Sequence, residues 1–264
     1  PLEGELLRIA SALHRTRYFI SGHPKVQVIT DNHPLVNMLT DRSRRIDNKR
    51  LTNLRRKCEE YHFKIGYGKG IENIANLLRV IDPSNSNAVV RVVAGITHDI
   101  KQTLDVGAQT VLVPMVETAQ QAEDMVRAVL YPPHGIRGAA SITRAARYGV
   151  TSNYAASANE EICLLVQAES QTALDNLESI CAVEGVDGVF IGPFDLAASM
   201  GFIDDPNNVK VQDAIEHAIL KIIASGKAAG ILMTDQERAK KYIEMGALFV
   251  AVGTDVSTFL NSSK

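Results

Sequence analysis

From residue 88 onward the chain alternates two kinds of hydrophobic pattern. Short apolar runs recur at AVVRVVAG (88–95), TVLVPMV (110–116), ICLLVQAE (162–169), GVFIG (188–192), AAGILM (228–233) and LFVAVG (248–253). Each is brief, nearly continuous and rich in β-branched residues, the signature of a strand buried on both faces in a parallel sheet. Between them lie stretches with helical spacing. THDIKQTLDVGA places Ile100, Leu104 and Val106 on one stripe, and TAQQAEDMVRAVL turns Ala122, Met125, Val126 and Val129 inward behind Thr118, an N-cap residue. ESQTALDNLESICAVEG and QDAIEHAILKIIASG behave alike, and each ends at a glycine. Six strand–helix units in order predict a parallel α/β sheet, either a barrel short of two units or an open doubly wound sheet.

Residues 1–82 carry a different pattern. EGELLRIASALHRTRYF reads as an amphipathic helix, VQVITD (26–31) and HFKIGY (62–67) as strands, and NKRLTNLRRKCEEY as a basic helix. The turn-rich stretch DPSNSN (82–87) marks a boundary, giving two expected segments, 1–82 and 83–264.

Charge sharpens that division. Residues 1–80 hold 15 Lys and Arg against 8 Asp and Glu, whereas residues 81–264 hold 13 against 22. The whole-chain charge of −2 conceals this asymmetry between segments. A hydrophobic fraction of 45% is ample for a core, and no apolar run has the roughly 18 residues of a membrane span. The beginning lacks the charged-then-apolar pattern of a secretory signal. Three cysteines, Cys58, Cys163 and Cys181, without CxxC spacing argue against a disulfide framework or zinc knuckle and favour a reducing, cytoplasmic setting.

Candidate chemistry concentrates at the ends of the apolar runs. Glu169 closes LLVQAE and Asp195 follows VFIGPF. In a β/α barrel the C-terminal strand ends carry the reactive groups, and two hard oxygen ligands suit Mg²⁺ or Mn²⁺. Asp195 is equally a cap for the helix DLAASM. Gln167 shares a strand face with Glu169, as a ligand of the lumen or as a satisfied core amide. Arg91, inside VVRVV, reads as a buried cation, facing the lumen or held in a structural ion pair. GPFDL offers main-chain N–H groups at a helix start, a cradle for a carboxylate. GIRG (135–138) reads as a loop over the mouth without the lysine of a nucleotide-binding loop.

Taken together, VVRV, DVGAQTVLVPMVET, YPPHGIRG, RAARYG, LLVQAES, ALDNL, VEGVDGVFIGPFDLAASMG and FVAVGTD resemble the HpcH/HpaI family of class II 2-keto-acid aldolases, over about residues 89–256. The resemblance implies an incomplete TIM-type (β/α) barrel and retro-aldol cleavage of a small 2-keto acid with a divalent metal ion, Mg²⁺ or Mn²⁺. It implies that Glu169 and Asp195 are the metal ligands. Gln167 and the amides of Phe194 and Asp195 hold the pyruvate end, Arg91 stabilises the enolate-like transition state, and Asp105 is the acid that pairs with the catalytic histidine. It also implies a homo-oligomer. The family's histidine belongs to a D-x-E-H motif that none of the seven histidines here occupies, so an impaired carbon–carbon lyase is expected. His134, in YPPHGIRG, is the nearest substitute by loop position.

ELLRIASALHRTRYFISGHPKVQVITDNHPLVNML and HFKIGYGKGIENIANLLR resemble a gypsy-type retrotransposon ribonuclease H, over about residues 1–80. Glu5 and Asp31 match two of that family's acids, and Asn76 stands where it has an Asp. Half of such a carboxylate cluster does not hold two metals. The second reading is therefore an inactive retroelement-derived fragment with a basic helix that touches phosphates, and the third is a join of two genes. Nucleic acid is not the expected partner, nor is a membrane.

Overall fold

The computed structural model describes residues 70–84 and 86–254, together with the backbone of two short strands, Val26–Thr30 and Phe63–Tyr67. Glu5, Asp31, His14, His23, His33, His62 and the basic helix read at residues 48–61 lie outside these. The chain divides into two compact units, residues 1–73 with 254–264, and residues 74–253. In the first unit, β1 (Val26–Thr30) and β2 (Phe63–Tyr67) pair in parallel, Val26 opposite Phe63. Both were expected as strands. The division at residues 73 and 74 precedes the expected one at 82, because α1 (Ile71–Ile81) buries Ala75 and Leu78, with Leu78 in the core of the second unit.

The second unit holds all six strands read from the apolar runs. They are β3 (Val89–Arg91), β4 (Thr110–Val113), β5 (Cys163–Ala168), β6 (Gly188–Ile191), β7 (Ala228–Leu232) and β8 (Phe249–Ala251). Every neighbouring pair is parallel and the spatial order equals the chain order. A doubly wound sheet reverses its order at a switch point. This one does not, so the curled six-stranded sheet is a partial barrel.

Period-2 alternation sorts each strand's residues between two faces. Val111, Val113, Leu164, Val166, Ala168, Val189, Ile191, Ala229 and Ile231 pack with the helices into one large core. Leu112, Leu165 and Phe190 form a smaller cluster on the other face, with Leu232 and Phe249 against it. Gln167 and Glu169 follow Leu165 on that inner face.

The helices are α2 (Thr97–Asp105), α3 (Ala119–Val129), α4 (Tyr154–Glu161), α5 (Gln171–Asp175), α6 (Leu177–Cys181), α7 (Pro193–Ser199), α8 (Val209–Ala224) and α9 (Gln236–Glu244). Thr118 caps α3 as expected, and Gln121 completes a capping box with it. One helix read from sequence is two. ESQTALDNLESICAVEG breaks at Asn176, whose side-chain amide donates to the Glu117 carbonyl oxygen at 2.9 Å.

Two local expectations are corrected. Arg91 is exposed, because β3 is an end strand only three residues long and Arg91 lies away from the helix layer. GIRG does not cover the mouth. It follows α3, whose C-terminus returns to the side where the strands begin, and Ile136 and Arg137 donate their N–H groups to the carbonyls of Arg127 and Leu130 there.

Candidate functional site

The inner face of β5 leads directly into the site. Gln167 and Glu169 are 7% and 4% exposed, unusual burial for such side chains. They sit on one face, two residues apart, and the Gln167 Nε2 donates to Glu169 Oε2. The other oxygen, Glu169 Oε1, accepts the N–H of Met115 at 2.9 Å. Gln167 Oε1 is buried and has no partner. A buried carbonyl oxygen aimed into a site and left unsatisfied marks a position for a ligand group or ordered water.

Burial pushes the Glu169 carboxyl above the usual carboxylate range. The Met115 N–H opposes that shift, the negative charge of Asp195 adds to it, and the Arg91 guanidinium and the Gln167 amide oppose it. Four of the expected site residues stand on this side of the sheet: Arg91 at the end of β3, Gln167 in β5 with Glu169 just after it, and Asp195 in the first turn of α7. All lie where strands end. Asp195 and Phe194 are exposed, and Pro193 opens α7 at a position where no N–H is needed.

Gly192, between β6 and α7, is the residue sequence reasoning passed over. A Cβ there would come within 2.6 Å of Glu169 Oε2 and 2.8 Å of Gln167 Nε2. Only glycine lets the chain pass this close to the acid–amide pair. The Gly-Pro dipeptide was visible in sequence, but its closeness to β5 was not.

These donors fit a divalent cation. Two carboxylates and an unpartnered amide oxygen are hard oxygen donors, and so few protein ligands leave further positions for water and a chelating keto acid, as Mg²⁺ or Mn²⁺ takes them. Among the described residues, no group of three or more His, Cys, Asp or Glu is placed to hold a metal.

Asp105 lies elsewhere. It ends α2, on the side where the strands begin, and pairs with Lys101 at 2.5 Å and with Nη2 of Arg137 at 3.1 Å. Arg137 is fully buried and its guanidinium lies over the Tyr131 ring, 4.3 Å from the centroid. His134 belongs to this same end, so loop position does not bring it to Glu169. His98, beside Asp99 in the first turn of α2, is the described histidine on the side where strands end. Asn76 sits in α1 and accepts from Arg79 Nη1 at 2.6 Å.

Cleft size does not single out the chemistry. A cleft of about 720 Å³ lies at the strand-start end, lined by Thr110, Arg144, Arg147, Tyr148 and Tyr154 among others. A smaller one of about 190 Å³ borders the acid–amide pair through Met115, between the turns that follow β3 and β4.

Comparison with known proteins converges on the same strands. Residues 69–262 match the family model for HpcH/HpaI aldolase/citrate lyase. The hydroxypyruvate/pyruvate aldolase of Agrobacterium fabrum is 51% identical over 193 residues, 73% of each chain. The 2-keto-3-deoxy-L-rhamnonate aldolase of Klebsiella pneumoniae is 52% identical over 190 residues, 72% of this chain and 71% of that one. Among solved structures, an HpcH/HpaI aldolase/citrate lyase family protein from Burkholderia cenocepacia superposes with a TM-score of 0.64 at 29% identity, covering 96% of this chain and 86% of that one. The match begins at residue 69, so the stretch 69–80 read from sequence as the end of a ribonuclease H falls within it. None of these relatives is a ribonuclease H, and that reading of the N-terminal segment gains no support from them.

Proposed function

Because the chain belongs to the HpcH/HpaI aldolase/citrate lyase family, and so to the class II aldolases, carbon–carbon lyases that act on small keto acids, we propose that it is a divalent-metal pyruvate-type aldolase whose base is missing. The observation that carries this reading is the buried pair Gln167–Glu169 at the end of β5, hydrogen-bonded to each other with Gln167 Oε1 left unpartnered. Glu169 and Asp195 are the residues that hold the cation. When bound, Mg²⁺ or Mn²⁺ supplies a Lewis acid toward a 2-keto acid.

The chain's own residues do the rest. Gln167 orients the pyruvate end with the Nε2 hydrogen not given to Glu169, and the first-turn amides of Phe194 and Asp195 donate to the substrate carboxylate. Arg91, exposed at the end of β3, stabilises negative charge as it builds on the keto oxygen during C–C cleavage. The proton on the 4-hydroxyl needs a positioned base, and no histidine of this chain stands in the D-x-E-H motif. Asp105 is held by Lys101 and Arg137 at the opposite end of the sheet, so any part it has in turnover requires a second copy to present it.

Calorimetric titration of pyruvate with and without Mn²⁺ tests the reading. Binding that requires Mn²⁺ and disappears in Glu169→Gln supports it. Metal-independent binding, or binding unchanged by the substitution, overturns it.

A further inference from the structure

Met115 is a non-glycine residue with φ of 57°, in the left-handed region that side chains rarely adopt. It follows β4 and Pro114, which cannot donate to a ladder and so ends the strand. In a strand that continued, successive N–H groups would point to opposite neighbours. Here they do not. The Met115 N–H donates to Glu169 Oε1 at 2.9 Å, and the next one, from Val116, donates to the Gln167 carbonyl at 3.1 Å. Both consecutive donors serve β5, one its main chain and one its acid.

We infer that the left-handed backbone of Met115 is a positioning device for Glu169, which fixes the carboxylate orientation that the metal site requires. The inference rests on the metal reading proposed above. The Met115 side chain is 57% exposed, so packing does not hold this conformation in place. What the backbone gains is two N–H bonds, Val116 to the Gln167 carbonyl and Met115 to the acid, and the second is the one that fixes a side chain. With Oε1 anchored by the main chain, Oε2 faces Gln167 Nε2 and the backbone of Gly192. Strained backbone tends to persist where a site over-determines it. Met115 touches no reacting atom and acts only through Glu169.

Two substitutions separate conformation from side chain. Glycine adopts positive φ at no steric cost, whereas a β-branched residue resists it. Mn²⁺ affinity, followed by water-proton relaxation, is expected to stay within about threefold of wild type in Met115→Gly and to fall at least tenfold in Met115→Val. Equal affinities in wild type and Met115→Val would overturn the inference. Crystal structures of the metal-free variants give a readout independent of the metal. Glu169 should keep its rotamer in Met115→Gly and turn away from residue 115 in Met115→Val, and an unmoved carboxylate in Met115→Val overturns the inference. Wild type that binds no Mn²⁺ sinks the metal reading, and the positioning role is then decided by the rotamers alone.

Discussion

A carboxylate that is 4% exposed, beside another acid and held by one main-chain N–H, is an expensive group to keep in a metal-free protein. Its raised protonation range sets the sign of a pH effect. The unfolded chain ionises Glu169 first as pH rises, so folding is penalised progressively above the ordinary Glu value of about 4.3 and the penalty levels off once the folded form also ionises. Glu169→Gln should therefore match wild type in thermal stability below about pH 4, with a chelator present, and become the more stable protein as pH climbs toward neutrality. Melting curves over that range check it, and a variant less stable than wild type at neutral pH would refute the cause given for the shift. Gly192→Ala tests the neighbouring contact. The methyl must displace Glu169 Oε2 or Gln167 Nε2, so Mn²⁺-dependent pyruvate binding should drop at least tenfold while stability falls by about 1–3 kcal/mol. Wild-type binding by Gly192→Ala would show that the pair has room to move. Glu169, Asp195 and Gln167 could be named as candidates from their positions within or just after apolar runs. Gly192 and Met115 were not, because their roles arise from closeness between different strands, which one sequence does not display.

At the scale of elements, the turns after β4 and β5 are bound to each other as well as to the sheet. Ser170 caps α5, and its hydroxyl donates to the Glu117 carboxylate. Asn176 holds the Glu117 carbonyl, and Thr118 caps α3. The six strands were readable because each is an apolar run that packs against the helix layer. The break at Asn176 was not, since it depends on a partner 59 residues away. Arg91 and GIRG were misplaced for a shared reason. A local pattern identifies a strand or loop, but an end strand exposes one face and a loop belongs to whichever end the preceding helix reaches. The Asp105–Arg137 pair anchors that far end. Arg137 is fully buried, and its Nε and Nη1 already lack partners. Asp105→Ala leaves an uncompensated buried cation, so a loss of about 3–5 kcal/mol is expected in denaturant unfolding. A loss under about 1 kcal/mol would show that the pair is not structural.

Over the whole molecule, sequential parallel order places Arg91, Gln167, Glu169 and Asp195 at one end of a partial barrel and Asp105, Arg137 and His134 at the other. On the proposed reading, β3, β5 and the start of α7 supply the pyruvate end of an aldolase site, and the family's histidine is not among this chain's residues. The two chemical demands on such a site differ. Oxaloacetate decarboxylation needs stabilisation of the developing enolate, whereas aldol cleavage also needs removal of the 4-hydroxyl proton. General-base catalysis is worth about 10²–10⁴-fold. The most direct test measures both reactions on the pure chain with Mn²⁺, beside the Agrobacterium fabrum hydroxypyruvate/pyruvate aldolase. The account predicts Mn²⁺-dependent decarboxylation that is lost in Glu169→Gln, together with aldol cleavage slower than that relative's by about 10²-fold or more. Aldol cleavage at the relative's rate, or decarboxylation indifferent to Mn²⁺ and to Glu169, would contradict it.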